Sequence, residues 1–139
     1  MGFWQIWYLI AFSSNLCDGF DALRVLPKTR PFASGNLNAV TKATRSISAS
    51  RSLPRLLFAG VVVWQFLAVL LFGWAILSSL SAGVVDLEAT NAAFLAGLGL
   101  WAGFMLADEI LKQYETEHSH VLFFMAQLLT IVAVHALPG

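Results

Sequence analysis

The chain has 139 residues, 58% hydrophobic and only 12% charged, with eight basic and eight acidic side chains and a formal net charge of zero. A mean hydropathy of +0.74 is that of an integral membrane protein, and the length allows one domain. The single cysteine, Cys17, excludes an internal disulfide and a thiolate zinc site.

The first element expected is an apolar, aromatic segment over about 3–23. It has neither the basic n-region nor the small-residue cleavage site of a secretory signal. Its second half turns polar at Ser13, Ser14, Asn15, Asp18 and Asp21. A full first span facing those groups into a bundle is the preferred reading over a shorter interfacial helix, because Trp4, Trp7 and Tyr8 suit an aromatic belt at one end.

A basic stretch follows. Seven of the eight Lys and Arg residues (Arg24, Lys28, Arg30, Lys42, Arg45, Arg51 and Arg55) lie between 24 and 55, with no acid among them. Short loops rich in Lys and Arg stay on the cytoplasmic side, so this loop is placed inside and both ends of the chain outside. Pro27, Pro31 and Pro54 punctuate the 24–53 connector, yet Leu37, Val40, Ala43 or Thr44, and Ile47 recur at helical spacing. A short interfacial helix started by Ser34 or Asn36 is therefore expected, and its basic side chains suit anionic lipid headgroups.

Three long apolar stretches complete the chain, over about 54–80, 89–111 and 120–137. A hydrocarbon core about 30 Å thick needs roughly 20 apolar residues at the helical rise, and lipid cannot satisfy an open backbone. The fold class expected is all-α: a polytopic transmembrane helix bundle of three spans plus an N-terminal fourth, forming a single transmembrane domain over 1–139. In the second span Gln65 calls for a partner on a neighbouring helix. In the third, Gly99 and Gly103 form a GxxxG pair, extended by Ala92, Ala96 and Ala107, which reads as a helix-packing face.

The chemically richest segment runs from Asp108 to His120. Asp108 and Lys112 are one helical turn apart and able to pair. Asp108 and Glu109 follow Leu106 and Ala107 directly, so they are either hydrated at an interface or form a proton or cation site. Glu115 with His118 and Glu117 with His120 have the Glu-x-x-His spacing of di-iron bundles, but both pairs overlap on one connector and cannot face each other from two helices. A single divalent ion held by His118, His120 and a carboxylate is the metal reading left, against a solvated polar turn. In the last span His120 and Gln127 share a face. His120 and His135 stand about 22 Å apart at 1.5 Å per residue, which excludes a bis-histidine haem within one chain.

Several short motifs act together: Asp18-Gly19-Phe20, Phe32-Ala33-Ser34-Gly35-Asn36, Trp64-Gln65 and Leu106-Ala107-Asp108-Glu109. In this combination the chain resembles prokaryotic small integral membrane proteins of unknown function, which implies a four-helix membrane protein and brings no activity. The layout also looks like that of DoxX-type four-helix membrane proteins, from which the basic loop after the first helix departs.

No catalytic set, phosphate loop or nucleic-acid surface is legible, and no enzyme activity or cofactor is expected. The function expected first is a non-catalytic accessory or scaffold subunit of a larger membrane assembly in the prokaryotic inner membrane. The alternative is a small proton- or cation-coupled transporter acting as an oligomer, with Asp18, Gln65, Asn91, Asp108, Glu109 and Gln127 as its intramembrane polar residues. A metal enzyme using His118 and His120 lacks ligands. The partners expected are membrane lipid and either partner subunits or further copies of the chain, with no nucleic acid.

Overall fold

The structure is a computed structural model that describes residues 1–23, 32–45, 47, 50 and 52–136. Arg24, Lys28, Arg30 and Arg51 of the basic stretch, with Pro27 and Pro31, lie outside the described residues, as does Leu137 at the end of the last span. The described residues form α1 (Gly2–Ala22), α2 (Asn36–Arg45), α3 (Leu53–Ala82), α4 (Leu87–Leu111) and α5 (Tyr114–Ala136), with no strand among them. The all-α bundle expected from the hydropathy pattern is the fold, and α3, α4 and α5 are long and apolar enough to cross a membrane.

Helix ends follow local chemistry. Pro54 sits in the first turn of α3, where its missing N–H costs nothing. Gly83 ends α3 with φ 71°, a left-handed conformation that glycine adopts without a Cβ penalty. Asp86 then caps α4, its Oδ1 accepting from Ala89 N–H at 3.1 Å. That hydrogen bond holds the exposed Asp86 carboxyl below its ordinary value.

The last connector is shorter than the sequence suggested. α5 begins at Tyr114 rather than near 120, so the loop shrinks to Lys112 and Gln113. Lys112 turns left-handed (φ 56°, ψ 44°). Gln113 N–H donates to Asp108 O at 2.8 Å and Lys112 N–H to Glu109 O at 3.4 Å, the Schellman pattern that closes a helix. Gln113 O then accepts from Thr116 and Glu117 N–H, and Glu115 and Glu117 in the first turn of α5 favour its positive dipole end. Backbone satisfaction at the turn makes the polar segment helical, where composition alone suggested a loop.

The four long helices run antiparallel to their neighbours around a ring in the order α1, α3, α4, α5. Gln5 lies by Gly73, Asn15 bonds Gln65 and Gly19 lies by Phe58 along the α1/α3 seam. Ala68, Ala75, Ala89 and Ala93 are completely buried, so the backbones of α3 and α4 approach closely, as expected where van der Waals packing holds the helices together. Trp4, Tyr8, Phe72 and Phe94 fill the centre. α1 and α5 meet through long side chains: Trp4 Nε1 donates to Thr130 Oγ1 at 3.2 Å, and Trp7 packs on Phe123 at 4.7 Å between ring centroids.

Polarity is inverted relative to a soluble bundle. Asn15, Asp18, Gln65, Thr90, Asp108 and Gln127 are buried, whereas Leu9, Ile10, Val63, Leu70, Leu95, Leu106, Leu129 and Val132 are exposed. Such apolar exteriors suit lipid, and the buried polar groups must find partners inside.

Candidate functional site

The first polar cluster joins α1, α2 and α3. Asn15 Nδ2 donates to Gln65 Oε1 at 2.8 Å. The Asn15 carbonyl accepts from Ser34 Oγ at 2.7 Å and from Asn36 Nδ2 at 2.8 Å. One turn further along α1, Asp18 Oδ2 accepts from Leu37 N–H at 2.8 Å and from Ser34 Oγ at 3.2 Å. Asp18 is thus a cap supplied in space: its carboxylate takes up a free N–H at the start of α2 and meets the positive end of that helix dipole. Ser34 Oγ also accepts from Asn36 N–H at 3.2 Å, so the serine singled out for capping acts beside Asp18. This docking fixes α2 across the end of the α1/α3 pair.

The second cluster lies on α4 and α5. Asp108 Oδ2 pairs with His120 Nδ1, and Thr116 Oγ1 donates to Asp108 Oδ1 at 3.0 Å. Asp108 is 8% exposed and so buried within the bundle, whereas Glu109 beside it is exposed. The pairing of Asp108 with Lys112 does not form. Lys112 leaves the helix left-handed and exposed, and among the described residues His120 is the sole ion-pair partner. His120 in turn lies on aromatic faces, with ring centroids 4.9 Å from Phe104 and 6.0 Å from Trp101. Trp101 stacks on Phe123 at 4.9 Å with an interplanar angle of 13°.

Both clusters open onto one cavity of about 410 Å³, within the range of small-ligand sites. Its polar wall carries Asn15, Gln65, Asp108, Thr116 and His120, and its apolar wall Trp7, Phe58, Trp101, Phe104 and Phe123. It runs from α2 and the α4/α5 connector towards the middle of the bundle. Beyond it the bundle is packed by an aromatic layer of Tyr8, Phe72 and Phe94, none of which lines the cavity. The arrangement combines an apolar slot, a carboxamide pair and a carboxylate–imidazole pair able to hold or release one proton.

The residues singled out in sequence separate by level. Gln65 and Asp108 line the cavity, and Asp18 lies beneath α2. Gln127 sits by the aromatic layer, its Oε1 accepting from Tyr8 Oη at 3.2 Å. Asn91 is at the far end, its Oδ1 2.7 Å from His135 Nε2. Glu109 is exposed. His118 is exposed while His120 turns in to Asp108, and among the described residues no group of three His, Cys, Asp or Glu side chains converges on a metal position. Gly99 lies against Trp64, whose Cζ2 would meet a Cβ at 3.1 Å, and Trp64 Nε1 donates to Ala96 O at 2.9 Å. Gly103 is exposed, with nothing within 4 Å of a Cβ.

No protein-family model, curated protein or solved structure matches the chain. The site therefore stands on its own chemistry. Sequence reasoning turned Asn15 into the bundle without marking it as the hub of the first cluster, and missed Thr116, the second partner of Asp108. Asn15 was findable from its spacing, three residues before Asp18 on the same helical face. The Asp108–His120 contact was not legible in sequence, because a loop was expected over 112–119 where the structure has a two-residue connector.

Proposed function

We propose that the chain is a small proton-coupled carrier, with α1 as its fourth membrane span and the α2 end on the cytoplasmic side of a prokaryotic inner membrane. The observation that carries this reading is the cavity reaching in from one end, whose sole titratable lining residues among those described are the paired Asp108 and His120. Acids inside membrane segments mark ion and proton pathways by default, because an ionised carboxylate is too costly there to persist without a role. The orientation draws support from the connectivity: Lys42, Arg45, Arg55 and Lys112, the basic residues among those described, belong to the same end of the bundle. Four helices enclose a narrow path, so alternating access calls for an assembly of several copies.

The accessory-subunit reading has one observation in its favour. Gly103 presents an exposed small-residue position on α4 that none of the described helices covers, and a partner helix would approach closely there.

Proteoliposomes recorded on a solid-supported membrane separate the two. A carrier gives proton-dependent currents on exposure to its solute, and these vanish in Asp108→Asn. Recovery of the protein only in a fixed-stoichiometry particle with larger partners, and no such currents from the isolated chain, would establish the subunit reading instead.

A further inference from the structure

The walls around Asp108 define the class of solute. The His120 ring is tilted by 30° to Phe104 and 33° to Trp101, and its Nδ1 meets the Asp108 carboxylate. A flat group held between aromatic rings and a carboxylate is the arrangement that stabilises a cation, through the ring quadrupoles and the fixed negative charge together. When it carries a proton on both ring nitrogens, His120 supplies such a cation from within the site. When that proton leaves, the Asp108 charge loses its counter-ion in a mostly apolar cavity, which is costly.

Among the described residues no neighbouring side chain replaces it. On α4, Glu109 and Lys112 are exposed; on α5, His118 is exposed, and neither it nor the part-buried Glu117 lines the cavity. On α1, Asp18 is committed to Ser34 and the start of α2, and Asp21 does not line the cavity. Lys42 and Arg45 of α2 and Arg55 of α3 are exposed and outside the lining. Among the described residues no Lys or Arg lines the wall, which disfavours an anionic solute.

We propose that the cavity binds a monovalent organic cation, an ammonium or quaternary ammonium bearing an apolar group, between Asp108 and the Trp101–Phe104 wall, in exchange for the proton of His120. The exchange balances: the cation enters with one positive charge, the imidazolium releases one proton, and the site's net charge is unchanged. The carrier reading is needed for the coupling of this exchange to transport, not for the binding.

The probe is benzyltrimethylammonium, whose charge does not titrate, measured by calorimetry on the full chain in nanodiscs. Neopentylbenzene serves as its neutral isostere in displacement. Binding is expected at about pH 8 and at least about tenfold weaker at about pH 5.5, because each cation bound displaces one proton. His120→Gln should bind without that pH dependence, and Asp108→Asn should lose at least about tenfold in affinity while keeping its helix content. Equal wild-type affinity at both pH values, equal displacement by the neutral isostere, or no binding at the higher pH would overturn the proposal. Counterflow of the labelled cation into proteoliposomes is read separately. Binding without counterflow upholds the ligand class and removes the carrier reading, whereas proton currents driven by another solute, with no cation binding, remove the ligand class and leave the carrier.

Discussion

Gly97 offers the sharpest test of how the centre of the bundle is packed. A methyl group placed there would stand 2.2 Å from Gln127 Nε2, 2.7 Å from its Oε1 and 2.7 Å from Tyr8 Oη, where a carbon needs about 3.5 Å. The Gln127 amide must move by about 1 Å in a fully buried position, and its hydrogen bond with Tyr8 must break. Overpacking costs about 1–3 kcal/mol and the lost bond about 0.5–1.5 kcal/mol, so Gly97→Ala should destabilise by about 2–4 kcal/mol. Gln127→Ala alone leaves the Tyr8 hydroxyl unpaired, at about 1–3 kcal/mol, but opens the volume the new methyl needs. The two changes should therefore compensate, the double variant falling short of the sum by more than about 1 kcal/mol. Unfolding by sodium dodecyl sulfate in mixed micelles, followed by tryptophan fluorescence, measures all four corners of the cycle. Additivity within about 0.5 kcal/mol, or a neutral Gly97→Ala, would refute the packing argument.

Other perturbations probe the remaining features. Asp18→Ala removes the cap and the Ser34 contact, so amide exchange across Asn36–Arg45 should quicken by roughly tenfold, as for a cap worth about 0.5–2 kcal/mol, with α4 unchanged; unaltered protection of α2 would show that its docking rests elsewhere. Lys112→Gly relieves a left-handed backbone at φ 56° and should raise stability by about 1 kcal/mol, read as a higher unfolding midpoint. Because the folded-state value of Asp86 is lowered by the Ala89 N–H, its contribution is present above the ordinary carboxylate range and is lost as pH falls through the folded value, below about pH 4. Asp86→Ala should remove that part of the acid sensitivity in a pH series of thermal melts. Gly99→Leu should destabilise the chain through its clash with Trp64, while Gly103→Leu should leave its unfolding free energy within about 0.5 kcal/mol of wild type; a large loss at Gly103 in the monomer would mean that the exposed face of α4 is covered after all.

The sequence by itself determined the fold class and the approximate position of each long helix. Hydropathy is a one-dimensional property, and a run of apolar residues long enough to cross lipid has few other ways to satisfy its backbone. The contacts that make the site were decided only in three dimensions. Gly99 and Gly103 stood out by their spacing, yet the tightest approach is at Gly97, because it faces Tyr8 and Gln127 from distant parts of the chain. Asp108 was legible as a costly acid, but the choice of His120 over Lys112 came from the left-handed turn that ends α4 and sends the chain straight back along it. Asp18 was visible as a polar residue near a helix end, and its role as a cap exists only because the loop from α1 folds back and lays α2 against it. Period and composition report which face a residue occupies on its own helix. Which distant group meets that face depends on helix ends, connector length and the packing of small residues, and only the folded chain brings these together.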